Sequence, residues 1–201
     1  MERSRWITHR AFQHYINKYQ DVGLAPDSPP PHELKRLVND ANRVFTSELQ
    51  RAIESAQALL PKADIISNPV FSEAPLASPP IPGVRLKVPA WAVFARVAWH
   101  GGYTPSIEDY RQVKRRAVRG LTLLSDAAKE DGVSILVAHG YINAIIGRML
   151  RLRGWSRTSG AHRAEFWNAV VYDWVERDGS PQKVRRSLRR GRARSSRGRA
   201  A

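Results

Sequence analysis

The chain has 201 residues, a hydrophobic share of 42% and a formal net charge of +15, which suits one domain with a sizeable core, or one domain plus a tail. It has no cysteine, so disulfides, thiolate metal sites and thiol nucleophiles are excluded. No apolar run approaches a membrane span, and the start Met1-Glu2-Arg3-Ser4-Arg5-Trp6 has no apolar signal core; a cytoplasmic location without membrane contact is the expectation.

In chain order, Phe12, Tyr15, Ile16 and Tyr19 recur at helical spacing and predict a helix over 10–20 that Gly23 ends. A proline loop, Asp27-Ser28-Pro29-Pro30-Pro31, leads to a short helix over 33–41 and a strand at Arg43-Val44-Phe45-Thr46. Ser47, with Gln50 three residues on, reads as the capping box of a helix over 47–60. Ile65 and Ile66 mark a strand over 64–67, and Pro75, Pro79, Pro80, Pro82 and Pro89 make 73–89 an irregular connection. An apolar helix over 90–100 carries Trp91, Phe94 and Trp99, which either line a substrate pocket or belong to the core. Ser106 is expected to cap a long helix running to about Lys129, and 168–176 forms a last strand. Strands alternating with helices predict an α/β fold with a largely parallel sheet.

Between those last two elements lies the most informative stretch, Ser134-Ile135-Leu136-Val137-Ala138-His139-Gly140. It reads as a covered strand that ends in a His-Gly corner, with a helix beginning at Tyr141. The C-terminal end of such a strand is where open α/β sheets bind ligands. Gly140 is expected to allow a tight turn there, and the following helix N-terminus to offer free N–H groups to an anion. Arg51 stands just after the equivalent corner of the 43–46 strand, so in a parallel sheet both residues reach one edge. Its planar fork of donors matches phosphate oxygens. Taken singly, Arg51 also reads as a solvated helix residue and His139 as a core histidine. Asn143 either hydrogen-bonds a substrate or supports the corner.

The charge is concentrated at the end. Residues 183–201 hold nine basic residues and no acidic one. With one large apolar residue in 185–199, this end is expected to be a disordered tail over 179–201, following a domain over 1–178. It reads either as a grip on nucleic acid or another polyanion through counterion release, or as a solvated appendage. No aromatic residue interleaves with its arginines, which disfavours base stacking. The remaining histidines show no metal spacing, and no cofactor motif occurs.

Thr46-Ser47-Glu48-Leu49-Gln50-Arg51-Ala52-Ile53-Glu54-Ser55-Ala56 resembles the Ser-Ser-x-Leu-x-Arg-Ala-x-x-Thr-Ala segment of the histidine phosphatase superfamily. Ile135-Leu136-Val137-Ala138-His139-Gly140 is similar to that family's second histidine motif, and Phe71-Ser72-Glu73-Ala74 resembles the segment bringing in a catalytic carboxylate. The match covers residues 43–150 in order and spacing. It implies a phosphoglycerate mutase-like three-layer sandwich that hydrolyses or transfers a small phosphomonoester through a phosphohistidine. A histidine in an Arg-His-Gly motif would attack phosphorus. Arg51 and His139, with Gly140 and Asn143 beside them, would hold and stabilise the phosphoryl group, and Glu73 would protonate the leaving oxygen.

No Arg-His-Gly occurs in the chain. The nearest candidate nucleophile is His9 in Ile7-Thr8-His9-Arg10-Ala11, where threonine and arginine flank it instead of arginine and glycine. Thr8 reads better as the N-cap of the following helix, with His9 in its first turn. The expectation is therefore a sheet missing its first strand and a site lacking its nucleophile, as a misplaced start or a decayed gene would produce. The alternative is a non-catalytic protein that binds a phosphate ligand or a polyanion. Oligomeric state is not legible in these residues.

Overall fold

The structure is a computed structural model that describes residues 5–163 and 165–174; the tail over 179–201 and the end of the last expected strand lie outside them. A three-stranded parallel sheet forms its centre, in the order β3 (Asp64–Ser67), β2 (Arg43–Thr46), β5 (Ile135–Val137). The registers place Val44 beside Ile65 and Ile135, and Phe45 beside Ile66 and Leu136. Because side chains alternate across a strand, these two rows face opposite sides. Phe45, Ile66 and Leu136 join a core with α5 (Tyr110–Asp131), α6 (Gly140–Leu152) and Trp99 of α4 (Val88–His100). Val44, Ile65, Ile135 and Val137 join a second core with α2 (His32–Val38) and α3 (Gln50–Leu59). The result is helices on both faces of a parallel sheet, the α/β sandwich expected. β5 pairs with β2 alone, and its other edge carries no strand among the described residues.

Two small antiparallel ribbons flank this body. β1 (Trp6–Ile7) pairs with β4 (Leu86–Lys87). Beside that ribbon α1 (His9–Gln20) packs Phe12 on Trp91 of α4, whose indole N–H donates to the Ile7 carbonyl at 2.7 Å. β6 (Trp155–Ser159) pairs with β7 (Val171–Trp174). β6 escapes a sequence reading because Trp155 is its one large apolar residue; its place depends on the β7 ladder.

Several helix starts differ from expectation, each for a local reason. α3 opens at Gln50, not Ser47, and has no side-chain cap; the Ser47 hydroxyl is turned to His139 instead. The long helix α5 is capped by Asp109, whose carboxylate accepts the Gln112 N–H while the Gln112 amide oxygen accepts the Asp109 N–H, both at 2.7 Å. That reciprocal pair satisfies two helix-end donors. Ser106 lies upstream with a positive φ of 53°. α4 begins at Val88 rather than Ala90, because Pro89 sits in its first turn, where its missing N–H costs nothing. α1 ends at Gln20, three residues before Gly23, and α6 begins at Gly140, one residue before Tyr141.

Candidate functional site at the C-terminal edge of the parallel sheet

Parallel pairing of β2 and β5 carries the chain ends after Thr46 and after Val137 to the same edge of the sheet. There Ser47, fully buried, places its Oγ 2.6 Å from His139 Nε2. Ser67, at the end of β3, donates to the Ser47 carbonyl at 3.2 Å. His139 is 8% exposed. Its burial first, and then the charges of Arg51 and Arg116, push its pKa down to about 4. At neutral pH the ring is therefore uncharged.

Three guanidiniums surround this corner. Arg51, in the first turn of α3, donates to the carbonyls of Tyr19 (2.7 Å) and Gln20 (3.4 Å) and lies 4.5 Å over the Tyr19 ring. It thus clasps the carbonyl-rich C-terminal end of α1. Arg116, on α5, pairs with both Glu108 oxygens and donates to the carbonyls of Val70 and Ser72. Arg96, on α4, donates to the carbonyls of Ala74 and Pro75 at 3.1 Å and stacks on Trp99 and Tyr141. Burial lowers the pKa of Arg51 and of Arg96, and the nearby Glu73 opposes the fall in both; a guanidinium stays charged throughout the physiological range.

Glu73 lies in the middle of this group, held by Arg116 and Arg96 through the backbone on either side of it. Its carboxylate accepts the N–H groups of Tyr141 (3.1 Å), Ile142 (3.0 Å) and Ala74 (2.9 Å). The N-terminus of α6 was expected to offer free donors to an anion; two of them hold Glu73 instead. Unsatisfied N–H groups at the positive end of a helix draw the nearest carboxylate. Gly140 lies outside the left-handed region, and a Cβ there would meet no atom within 4 Å. Its tight-turn role is therefore not required, and its lack of a side chain leaves open space at the corner. Asn143 places its amide oxygen in a buried position without a hydrogen-bond partner among the described residues, as does the Thr46 hydroxyl beside Ser47.

His9 is placed elsewhere. Thr8 caps α1, accepting the Ala11 N–H at 3.4 Å, and His9 is the first residue of that helix. Tyr19, whose carbonyl holds Arg51, lies ten residues further on; at 1.5 Å per residue this is about 15 Å along the axis. Ser47, Arg96 and Arg116 were not read from sequence as site residues. Ser47 had a ready local explanation as a cap, and Arg116 is one of three consecutive cations, Lys114-Arg115-Arg116. Arg96 did carry a signal: it is the one formally charged residue in the otherwise apolar run 88–99. Trp91, read as a pocket-or-core residue, is fully buried in the α1–α4 core, whereas Trp99 reaches the site through Arg96 and Tyr141. Among the described residues no group of three or more acidic or histidine side chains could hold a metal.

A parallel α/β sandwich with a buried histidine, three guanidiniums and a carboxylate gathered at its C-terminal edge has the phosphoglycerate mutase-like architecture. A model of the histidine phosphatase superfamily (branch 1) matches residues 32–184, and the chain belongs to that superfamily. Arg51, Glu73 and His139 lie within the matched span and His9 outside it. Among solved structures, the chain is similar to Bacillus stearothermophilus YhfR, at 16% identity over 82% of this chain and 87% of that one (TM-score 0.47). It is also similar to the mycobacterial glucosyl-3-phosphoglycerate phosphatase Rv2419c in complex with inorganic phosphate, at 19% identity over 64% and 74% (TM-score 0.44). A third similar structure is a putative alpha-ribazole-5'-P phosphatase from Escherichia coli, at 14% identity over 67% and 73% (TM-score 0.41). No protein of curated function matches by sequence.

Proposed function

We propose that this chain carries the phosphate-holding half of a phosphomonoesterase site and turns over little substrate. In this reading Arg51 and the uncharged His139 contact the phosphoryl oxygens of a small phosphorylated ligand, with Gly140 and Asn143 at the same corner. In the same reading Glu73, which the family resemblance offers as the acid, would protonate the leaving oxygen. Buried donors in a site of low dielectric are worth most where charge develops on those oxygens. The observation that carries the impairment is the position of His9, at the far end of α1 from the carbonyl that anchors Arg51. A histidine about 15 Å along a helix from that anchor does not attack a phosphorus held by Arg51.

The test is turnover of a generic phosphomonoester by the purified 201-residue protein. Turnover at the uncatalysed level, unchanged in His9→Ala, is expected; robust turnover lost in His9→Ala would overturn the reading. A second reading, a phosphate-ligand binding protein without catalysis, is favoured by the same position of His9, which stands apart from the Arg51 anchor. It predicts binding of inorganic phosphate that weakens about tenfold or more in Arg51→Ala, the effect of losing roughly 1.4 kcal/mol or more of charge-assisted hydrogen bonding. Undiminished binding in that variant removes both readings. No helix among the described residues is long and apolar enough to cross a membrane, and we place the protein in the cytoplasm.

A further inference from the structure

Ser47 is fully buried and its hydroxyl has two neighbours. The Leu49 N–H donates to it at 3.3 Å, and His139 Nε2 lies 2.6 Å away. A backbone N–H can only donate, so one oxygen lone pair is taken by Leu49. The hydroxyl proton then has one acceptor among the described residues, the unprotonated Nε2 of His139. The opposite arrangement, Nε2–H donating to Ser47, would leave the hydroxyl proton buried with no acceptor among the described residues, which is the costlier state. Satisfying every group selects one tautomer.

We propose that Ser47 is the positioning residue of the site: its hydroxyl holds neutral His139 in the Nδ1–H form, so that His139 meets a phosphoryl group as a hydrogen-bond donor and not as a base. This role explains why Ser47 does not cap α3, and why a serine is buried at the end of a central strand with its hydroxyl turned across to β5. Nδ1 has no hydrogen-bond partner among the described residues and keeps its proton for a ligand. The depressed basicity of the ring, from burial and the facing charges of Arg51 on α3 and Arg116 on α5, keeps it in the neutral state in which tautomers are defined. The inference rests on the phosphate-site reading for the use of that donor, but the tautomer itself exists without any ligand.

The experiment is a long-range proton–nitrogen correlation spectrum of the full chain labelled with nitrogen-15 in its histidines, at pH 7. The His139 signals are assigned by their disappearance in His139→Gln. The expected wild-type pattern is a protonated Nδ1 and an unprotonated Nε2. In Ser47→Ala the ring is expected to shift toward the Nε2–H form, with its protonation midpoint moving upward because the donor to Nε2 is gone. Nε2–H in the wild type overturns the proposal, and that result is read even if the alanine variant does not fold. An unchanged tautomer and midpoint in folded Ser47→Ala also overturns it, as does a phosphorylated Ser47 after incubation with a phosphomonoester, which would make the serine a nucleophile. Titrating the wild-type sample with inorganic phosphate tests the site reading separately: the tautomer result stands or falls without it.

Discussion

At the scale of single residues, His139 links the site to stability. Its pKa in the folded chain is about 4, below the usual 6.5, so the unfolded chain takes up the proton first as pH falls. Stability is then complete above about pH 6.5 and declines toward pH 4, by roughly 3 kcal/mol at about 1.4 kcal/mol per unit. Denaturant midpoints between pH 7 and pH 4 should show this loss in the wild type and a smaller one in His139→Gln. Glu73 makes a second prediction. Its carboxylate satisfies two N–H groups of α6, so Glu73→Ala should cost about 1 kcal/mol in thermal or chemical unfolding. A Glu73 that touched only solvent would cost almost nothing. The same residue shows what a motif leaves open: its position in Phe71-Ser72-Glu73-Ala74 was legible, but its seat on the end of α6 depends on residues almost seventy positions away.

At the scale of elements, the strands of the sheet and most helices were legible because their apolar periodicity is strong and local. Val44, Phe45, Ile65, Ile66 and Ile135 to Val137 are both the sequence signal and the two faces of the observed sheet. Helix starts were less legible, because a cap is a contest between nearby polar residues. Ser106 and Asp109 stand three positions apart, and only Asp109 has its reciprocal partner, Gln112. Asp109→Ala should therefore destabilise the protein by about 1 kcal/mol, with Ser106→Ala within a few tenths; equal effects from the two would contradict the assignment. On the same helix, Gly120 faces the 3-10 turn at Pro69–Phe71, and a Cβ there would lie 2.8 Å from the Phe71 ring. Phe71 is fully buried, so Gly120→Ala should destabilise by about 1–3 kcal/mol despite alanine's better helix propensity, read as a lower unfolding midpoint.

At the scale of the whole molecule, charge and fold separate. Nine of the 33 basic residues lie in 183–201, beyond the described residues. If that segment grips polyanions, its removal should abolish salt-sensitive binding to a nucleic acid and leave the unfolding midpoint of the remaining chain unchanged. Binding that survives the removal would assign the grip to the folded body. The sequence by itself determined the α/β class, the parallel sheet and the candidacy of Arg51 and His139, because strand runs, helical spacing and corner motifs are properties of neighbouring residues; Glu73 was a candidate through the family resemblance of Phe71-Ser72-Glu73-Ala74 alone. Only the tertiary structure decided that Ser47 serves His139 and not α3, that Glu73 occupies donors expected to be free, and that His9 stands at the far end of α1 from the residue holding Arg51. Each of these turns on which group lies nearest in space once distant segments pack, and burial then sets the protonation and hydrogen bonding that chain order does not record.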